Sequence, residues 1–253
     1  MAKIIAFANQ KGGVGKTTSA INVAAALGLK RKNTLLVDFD PQGNATSGVG
    51  IRKSQVKNTV YDVLVGKAAA RDCILKAEYK NLSVMPSELS LAAAELELAD
   101  GEKREARLKT ALDSVRDDFD YIVIDCPPSL GLLTVNALTA SDGVVIPMQC
   151  EYFSLEGLSQ IMMSIKQVKK LYNPTIRVTG ILITMYNGRL NLSVQVVDEL
   201  KKYYADKLFK ATVSRSVRLS EAPSYGAPIQ YYDKYSQGSL AYDEVARELM
   251  TRI

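Results

Sequence analysis

The stretch Ile4-Ile-Ala-Phe-Ala-Asn-Gln-Lys-Gly-Gly-Val-Gly-Lys-Thr-Thr18 leads an apolar segment into a glycine-rich turn, and the turn into a helix-like segment. A chain in that order builds a phosphate cradle. Gly12, Gly13 and Gly15 let the backbone turn tightly and aim successive N–H groups at anionic oxygens, while the helix N-terminus and Lys16 add positive charge. Thr17 offers a hydroxyl to a magnesium ion. The strict loop pattern has a glycine five positions before Gly15; this chain has Gln10 there, and a second lysine, Lys11, heads the loop. One lysine suffices for the phosphates of a nucleotide in its own subunit. Lys11 is therefore read as charge placed for a facing phosphate.

Outward from the loop, strand-like runs alternate with helical patterns. Strands are expected at Lys3–Ala8, Thr34–Phe39, Leu82–Met85, Tyr121–Asp125, Gly143–Pro147, Val178–Thr184 and Leu208–Val213. Helices are expected at Lys16–Lys30, Leu89–Leu98, Glu102–Asp117, Leu132–Ala140, Leu155–Tyr172, Leu192–Ala205 and Ser239–Met250. Several of the strands are apolar throughout, as strands covered on both faces are. The pattern predicts an α/β fold: one three-layer α/β/α P-loop NTPase domain over residues 1–253, with a mainly parallel twisted sheet. With the first strand starting at residue 3, no N-terminal helix-turn-helix domain is expected.

Two further strand ends carry acids. In Val37-Asp-Phe-Asp-Pro-Gln-Gly-Asn44 the carboxylates of Asp38 and Asp40 stand two apart and project to the same side, toward the strand C-termini where α/β sheets bind ligands. Ile122-Val-Ile-Asp125 ends an apolar strand in a single acid, before Cys126-Pro-Pro128. Beside a phosphate loop, such an acid holds magnesium through water. The three motifs in this order point to a magnesium–nucleotide site.

Composition narrows the chemistry. Of 253 residues, 47% are hydrophobic and 23% charged, the balance of a soluble globule with a sizeable core. There is no histidine, which excludes imidazole bases and imidazole metal ligands. Cys73, Cys126 and Cys150 form no C-x-x-C pair, against a zinc ribbon or a disulfide framework. Apolar runs such as Tyr121–Ile124 are too short to span a bilayer and no leader is recognisable, so a cytoplasmic location is expected. The net charge of +5 is uneven: residues 1–165 carry 18 Lys and Arg against 19 Asp and Glu, whereas residues 166–218 carry 11 against 3. A basic stretch of this kind is an electrostatic footprint for nucleic acid.

Gln10–Thr18, Leu36–Ser47 and Tyr121–Ser129 resemble the deviant-Walker ATPases of the ParA/MinD group, and more narrowly the Soj-type ParA DNA-partition ATPases. Thr184-Met185, Leu192–Tyr204 and Val217-Arg-Leu-Ser-Glu-Ala-Pro223 extend the likeness over nearly the whole chain. The resemblance implies an ATPase of low intrinsic turnover that uses ATP and Mg2+. By it, Lys11 crosses a homodimer interface to the facing nucleotide and Gly12 keeps that approach clear. Gly13, Val14 and Gly15 cradle the phosphates, Lys16 holds the β- and γ-phosphates, Thr17 ligates magnesium and Thr18 reaches the α-phosphate. Asp40 orients or deprotonates the attacking water, which makes Lys11, Lys16 and Asp40 the catalytic candidates. Asp38 and Asp125 bind the waters of the metal. Where the family often has Pro-x-Asn this chain has Ser214-Arg-Ser216, so Met185 and the backbone at Ser214 and Ser216 are expected to line the adenine. Arg189 and Arg218 match arginines with which the ATP-bound dimer grips double-stranded DNA without sequence preference, while Lys201, Lys202 and Lys207 read as a solvated helix face. A ParB-type centromere-binding partner that stimulates hydrolysis, and a nucleoid-associated location, are further implications.

Two other readings share the scaffold. A MinD-like membrane-positioning ATPase ends in a basic amphipathic helix; Asp243–Ile253 instead carries three acids and two arginines, so no membrane partner is expected. A metabolic ATP-dependent enzyme on this scaffold would have a small substrate in place of DNA, and its cluster-handling variants need placed cysteines.

Overall fold

In the computed structural model, which describes residues 1–253, the glycine loop leaves β1 (Lys3–Phe7) and enters α1 (Lys16–Leu29). The other strands are β2 (Thr34–Asp38), β3 (Leu75–Lys76), β4 (Leu82–Met85), β5 (Tyr121–Asp125), β6 (Gly143–Met148) and β7 (Arg177–Ile183). They form one seven-stranded sheet in the order β3-β4-β2-β5-β1-β6-β7, parallel except for β3, which runs antiparallel along β4 at one edge. The helices that follow α1 are α2 (Asn44–Gly48), α3 (Val60–Leu64), α4 (Leu91–Glu97), α5 (Arg107–Asp113), α6 (Leu132–Ala140), α7 (Ser154–Leu171), α8 (Asn191–Tyr204), α9 (Val217–Glu221), α10 (Ile229–Tyr232) and α11 (Gln237–Arg252).

Side-chain alternation along each strand divides the core in two. Ile4 and Ala6 of β1, with Leu35, Val37, Ile122 and Ile124, pack against α3 to α8. Ile5 and Phe7, with Leu36 and Val123, pack against α1 and α11. Every residue of β2, β5 and β6 is buried, which is why these segments are apolar throughout. The three layers and the parallel sheet are those the sequence predicts. Register does the rest: Phe7 lies beside Asp125, and Asp125 beside Asp38, so β1, β5 and β2 end level with one another. The glycine loop and two of the acids therefore meet at the C-terminal edge of the sheet, where the strand order reverses beside β1.

Besides the short helices α2, α3, α9 and α10, where no helix is expected from sequence, three elements differ from expectation. Leu208–Val213 is not a strand; it meets β7 through an isolated bridge between Leu208 and Ile181, and a second bridge, between Ser214 and Tyr186, lies just beyond both segments. Its backbone is shared between two elements: Phe209 N and Val213 N donate to Ile181 O and Ile183 O of β7, while in α11 the Glu248 carboxylate accepts from the Lys210 and Ala211 N–H groups and Arg252 donates to the Leu208 carbonyl. Glu102–Asp117 is broken, with Arg107–Asp113 its only α-helical part, because Asn136 of α6 accepts from Leu108 N and donates to Arg104 O at the break. The two-residue β3 is too short to leave a periodicity.

Candidate functional site

The glycine loop has the shape its sequence requires. Gly13 (φ +72°) and Gly15 (φ +81°) adopt left-handed conformations, and Gly15 is the residue that starts α1. A β-carbon at Gly12 or Gly13 would meet nothing within 4 Å, so the loop presents bare backbone to open space. Side chains from far along the chain pin it. Asn9 Nδ2 donates to Pro147 O (2.8 Å) while its Oδ1 accepts from Lys11 N, Thr184 Oγ1 donates to Val14 O (2.8 Å), and Gln149 Nε2 donates to Gly13 O (2.6 Å). Lys16 is 6% exposed, and its Nζ donates to Lys11 O at 3.1 Å. Burial lowers its pKa, opposed chiefly by the charge of Asp125.

The three acids are all buried, with Asp38 and Asp125 at 0% and Asp40 at 7% exposure. Their surroundings differ. Asp38 Oδ2 accepts both the N–H and the hydroxyl of Thr46 at 2.6 Å, which ties β2 to α2. Burial nevertheless pushes its carboxyl up to about 6. Asp125 has no hydrogen-bond partner of good geometry on either oxygen. Burial, reinforced by the charge of Asp38, raises its pKa well above the usual carboxylate range, outweighing the Thr17 hydroxyl, which is near enough to lower it. An unpartnered buried carboxylate is costly unless something polar fills the space against it. A hydrated cation bound beside the loop fits that requirement. No three His, Cys, Asp or Glu side chains converge into a cage, so a cation here would take most of its ligands from water, phosphate and Thr17. Asp40 Oδ1 accepts from Gln42 N (2.9 Å), and Asp40 lines the same cavity as the loop.

That cavity, of about 340 Å3, is bordered by Gly12, Gly13, Gly15, Lys16, Thr17 and Thr18 on one side and by Asp40, Gln42 and Asn44 on the other. A second cavity of about 260 Å3 adjoins it, sharing Gly15, Thr18 and Met185. Ser214 and Ser216 line this second space, and the Tyr186–Ser214 bridge holds their segment against the end of β7. Met185 sits at φ +50°, a strained conformation for a non-glycine residue that aims its side chain where the two cavities meet. Phosphate-sized and base-sized spaces thus lie end to end.

The outlying candidates fall elsewhere. Lys11 does not border the phosphate cavity; its Nζ pairs with Glu151 Oε2 at 2.5 Å. Arg189 is exposed and enters no ion pair. Arg218, in the first turn of α9, is paired with Glu221 (3.1 Å) and Asp233 (3.5 Å). Lys201, Lys202 and Lys207 are each neutralised by an acid one or three residues away. Sequence reasoning gave no role to Asn9, Thr46, Gln149, Glu151 and Thr184, whose contacts with the motifs (except those of Asn9 and Thr46) cross more than 130 residues. Asn9 was legible in principle, as a polar residue ending an apolar strand just before the loop.

A family model described as an AAA domain matches residues 2–178. The chain is 54% identical to the sporulation initiation inhibitor protein Soj of Bacillus subtilis, over 98% of both chains. It is 49% identical to the chromosome partitioning protein ParA of Myxococcus xanthus, over 100% of this chain and 89% of that one. Among solved structures it resembles cobyrinic acid a,c-diamide synthase of Mycobacterium smegmatis with a bound ATP analogue and magnesium, at a TM-score of 0.87 and 34% identity, covering 99% of this chain and 95% of that one.

Proposed function

The chain belongs to the family of the Soj and ParA partition ATPases, and from that premise we propose that it segregates DNA through an ATP-driven cycle of dimerisation and release. It is an ATPase that works with ATP and magnesium. In the proposed cycle two copies close on two nucleotides, the dimer coats double-stranded DNA without sequence preference, and hydrolysis, stimulated by a ParB-type partner, lets go.

The roles follow from the chemistry of the residues. The loop N–H groups and Lys16 bind the triphosphate, with Thr18 at the α-phosphate, and exchange of Lys16 Nζ from Lys11 O to phosphate places its charge on the transferring group. Thr17 and, through water, Asp38 and Asp125 would hold the magnesium, which would supply neutralisation of the triphosphate charge. Asp40, fixed by Gln42 N at the cavity wall, orients the attacking water. Positioning and charge stabilisation are most of what phosphoryl transfer needs, so the lack of histidine is no obstacle. Met185, Ser214 and Ser216 border the base. Lys11 reaches the facing nucleotide, and Arg189 and Arg218 contact DNA phosphates. The observation that carries the reading is the buried, unpartnered Asp125 beside a buried Lys16 at the foot of an open glycine loop. A MinD-like membrane role draws no support from the last helix: Tyr242, Val245, Ala246 and Leu249 of α11 are buried against the sheet and α1 rather than offered to lipid. No helix is long and apolar enough to cross a membrane.

The test is retention of generic duplex DNA with ATP, ADP and no nucleotide. Retention is expected with ATP alone, falling steeply with salt, and lost in Arg189→Glu while ATP binding persists. Equal retention with ADP, or unchanged retention by Arg189→Glu at moderate salt, contradicts the proposal. A metabolic enzyme would show no ATP-dependent DNA retention at all.

A further inference from the structure

We infer that the base cavity does not choose between the purines, so that GTP binds and is hydrolysed alongside ATP. The inference rests on the placement of the base proposed above, in the cavity that Met185, Ser214 and Ser216 border. Adenine and guanine offer similar faces for packing and differ at the polar edge. Where adenine carries an amino donor at C6, guanine carries a carbonyl acceptor. A site separates the two only through groups of fixed polarity. A carboxylate accepts, a guanidinium donates and an amide has one end of each kind, whereas a hydroxyl rotates to give or to take a hydrogen bond. A buried fixed group facing its own kind goes unpaired, which is how sites reach discriminations of about ten-thousandfold.

This cavity has almost no such groups. Its apolar walls include Val213 and Leu219, both buried, and the Met185 side chain, and these accept either purine face. No carboxylate and no side-chain amide borders it; apart from Arg215, its polar side chains are all hydroxyls. Two of the hydroxyls are engaged elsewhere, since Thr184 Oγ1 donates to Val14 O and the Tyr242 hydroxyl is shared with Ser19 Oγ at 3.0 Å. Ser216 is not. It stands immediately before α9, where a serine commonly caps the helix, yet its side chain makes no cap hydrogen bond and is left to the cavity. The fixed groups that remain oppose one another. Arg215, which is exposed, donates and so favours the O6 and N7 of guanine, while a backbone carbonyl of the same segment accepts and so favours the amino group of adenine. Each bias is one hydrogen bond open to water, worth at most about tenfold in affinity. The glycine loop, Lys16 and Asp40 act on the triphosphate, which is the same in both nucleotides, so hydrolysis of GTP to GDP and phosphate follows from its binding.

The experiment measures, by calorimetry on the full chain with magnesium, the dissociation constants of the non-hydrolysable imido analogues of ATP and GTP, for the unsubstituted protein and Ser216→Ala. Phosphate release from ATP and from GTP is followed alongside. The two constants are expected to lie within about tenfold of each other, and phosphate release from the two nucleotides likewise. Ser216→Ala is expected to weaken both analogues together, by about two- to tenfold, with their ratio held within about twofold and the melting temperature unchanged. A GTP analogue bound more than tenfold less tightly than the ATP analogue overturns the inference, as does GTP that binds without releasing phosphate. Ser216→Ala that weakens one analogue alone, or neither, overturns it too, because an adaptable hydroxyl facing the base serves both. If the unsubstituted protein binds neither analogue, the nucleotide site of the proposed function falls and the inference falls with it, so the two failures are distinguishable.

Discussion

At the residue scale, the site is a set of charges kept apart from water, and its acids differ by what they touch. Asp38 is held by Thr46 and yet pushed up to about 6 by burial. An acid whose pKa is raised on folding keeps its proton in the native state to a higher pH than in the unfolded chain. Its contribution to stability is therefore greatest below about pH 4, is lost as pH rises toward about 6, and is level beyond. For a shift of this size the loss is about 3 kcal/mol. Asp38→Asn removes that loss and also relieves Asp125, whose own upward shift owes part of its size to the Asp38 charge. Urea unfolding at pH 4.5 and 6.5 without nucleotide or metal checks this: the variant is expected to show the smaller fall in stability between the two. An identical fall in both proteins would mean that Asp38 is not the group responsible. The glycines, lysines and acids of this site were legible because each motif is contiguous. Glu151, Gln149 and Thr184 were not, because nothing local marks a residue whose partner lies 136 to 170 positions away.

At the element scale, strands buried on both faces declared themselves by uninterrupted apolar runs, and helices by period. What failed was the segment after α8. Leu208–Val213 has the residues of a strand, with Phe209 and Val213 in the core, but β7 accepts only the Phe209 and Val213 N–H groups, and a helix takes up the Lys210 and Ala211 N–H groups and the Leu208 carbonyl. Arg252 is the centre of that arrangement: its guanidinium donates to Leu208 O (2.7 Å) and Thr179 O (3.2 Å), pairs with Glu248 and lies 4.5 Å over the Phe209 ring. Arg252→Ala strands these carbonyls and uncovers the ring, and is expected to destabilise the protein by about 2 kcal/mol. Arg247→Ala, one turn earlier and 72% exposed in its pair with Asp243, is expected to change stability by less than about 0.5 kcal/mol. Thermal unfolding of the two variants decides it; equal losses would show that the segment does not depend on Arg252. Side-chain capture of a backbone by a helix some 40 residues later leaves no sign in local pattern, which is why a strand was expected here.

At the scale of the whole molecule, the architecture follows from one device, a sheet whose β1, β5 and β2 end level and so gather the glycine loop with Asp38 and Asp125. The same edge continues past β7 into the Met185 and Ser214 segments, and then into the loop and helix that carry Arg189 and Arg218. Base, phosphates and basic surface are thus served by neighbouring connections, so a change at the nucleotide has a short path to the surface proposed for DNA. In the proposed cycle, closure of two copies over two nucleotides is the step on which that coupling depends. The direct measurement is the mass in solution, by light scattering, of Asp40→Ala with ATP and magnesium, with ADP and magnesium, and of the same variant combined with Lys11→Ala. Twice the chain mass of 27.7 kDa is expected for Asp40→Ala with ATP, and the single-chain mass with ADP or when Lys11 is replaced. A single-chain mass with ATP, or an equally stable dimer without Lys11, would contradict the account.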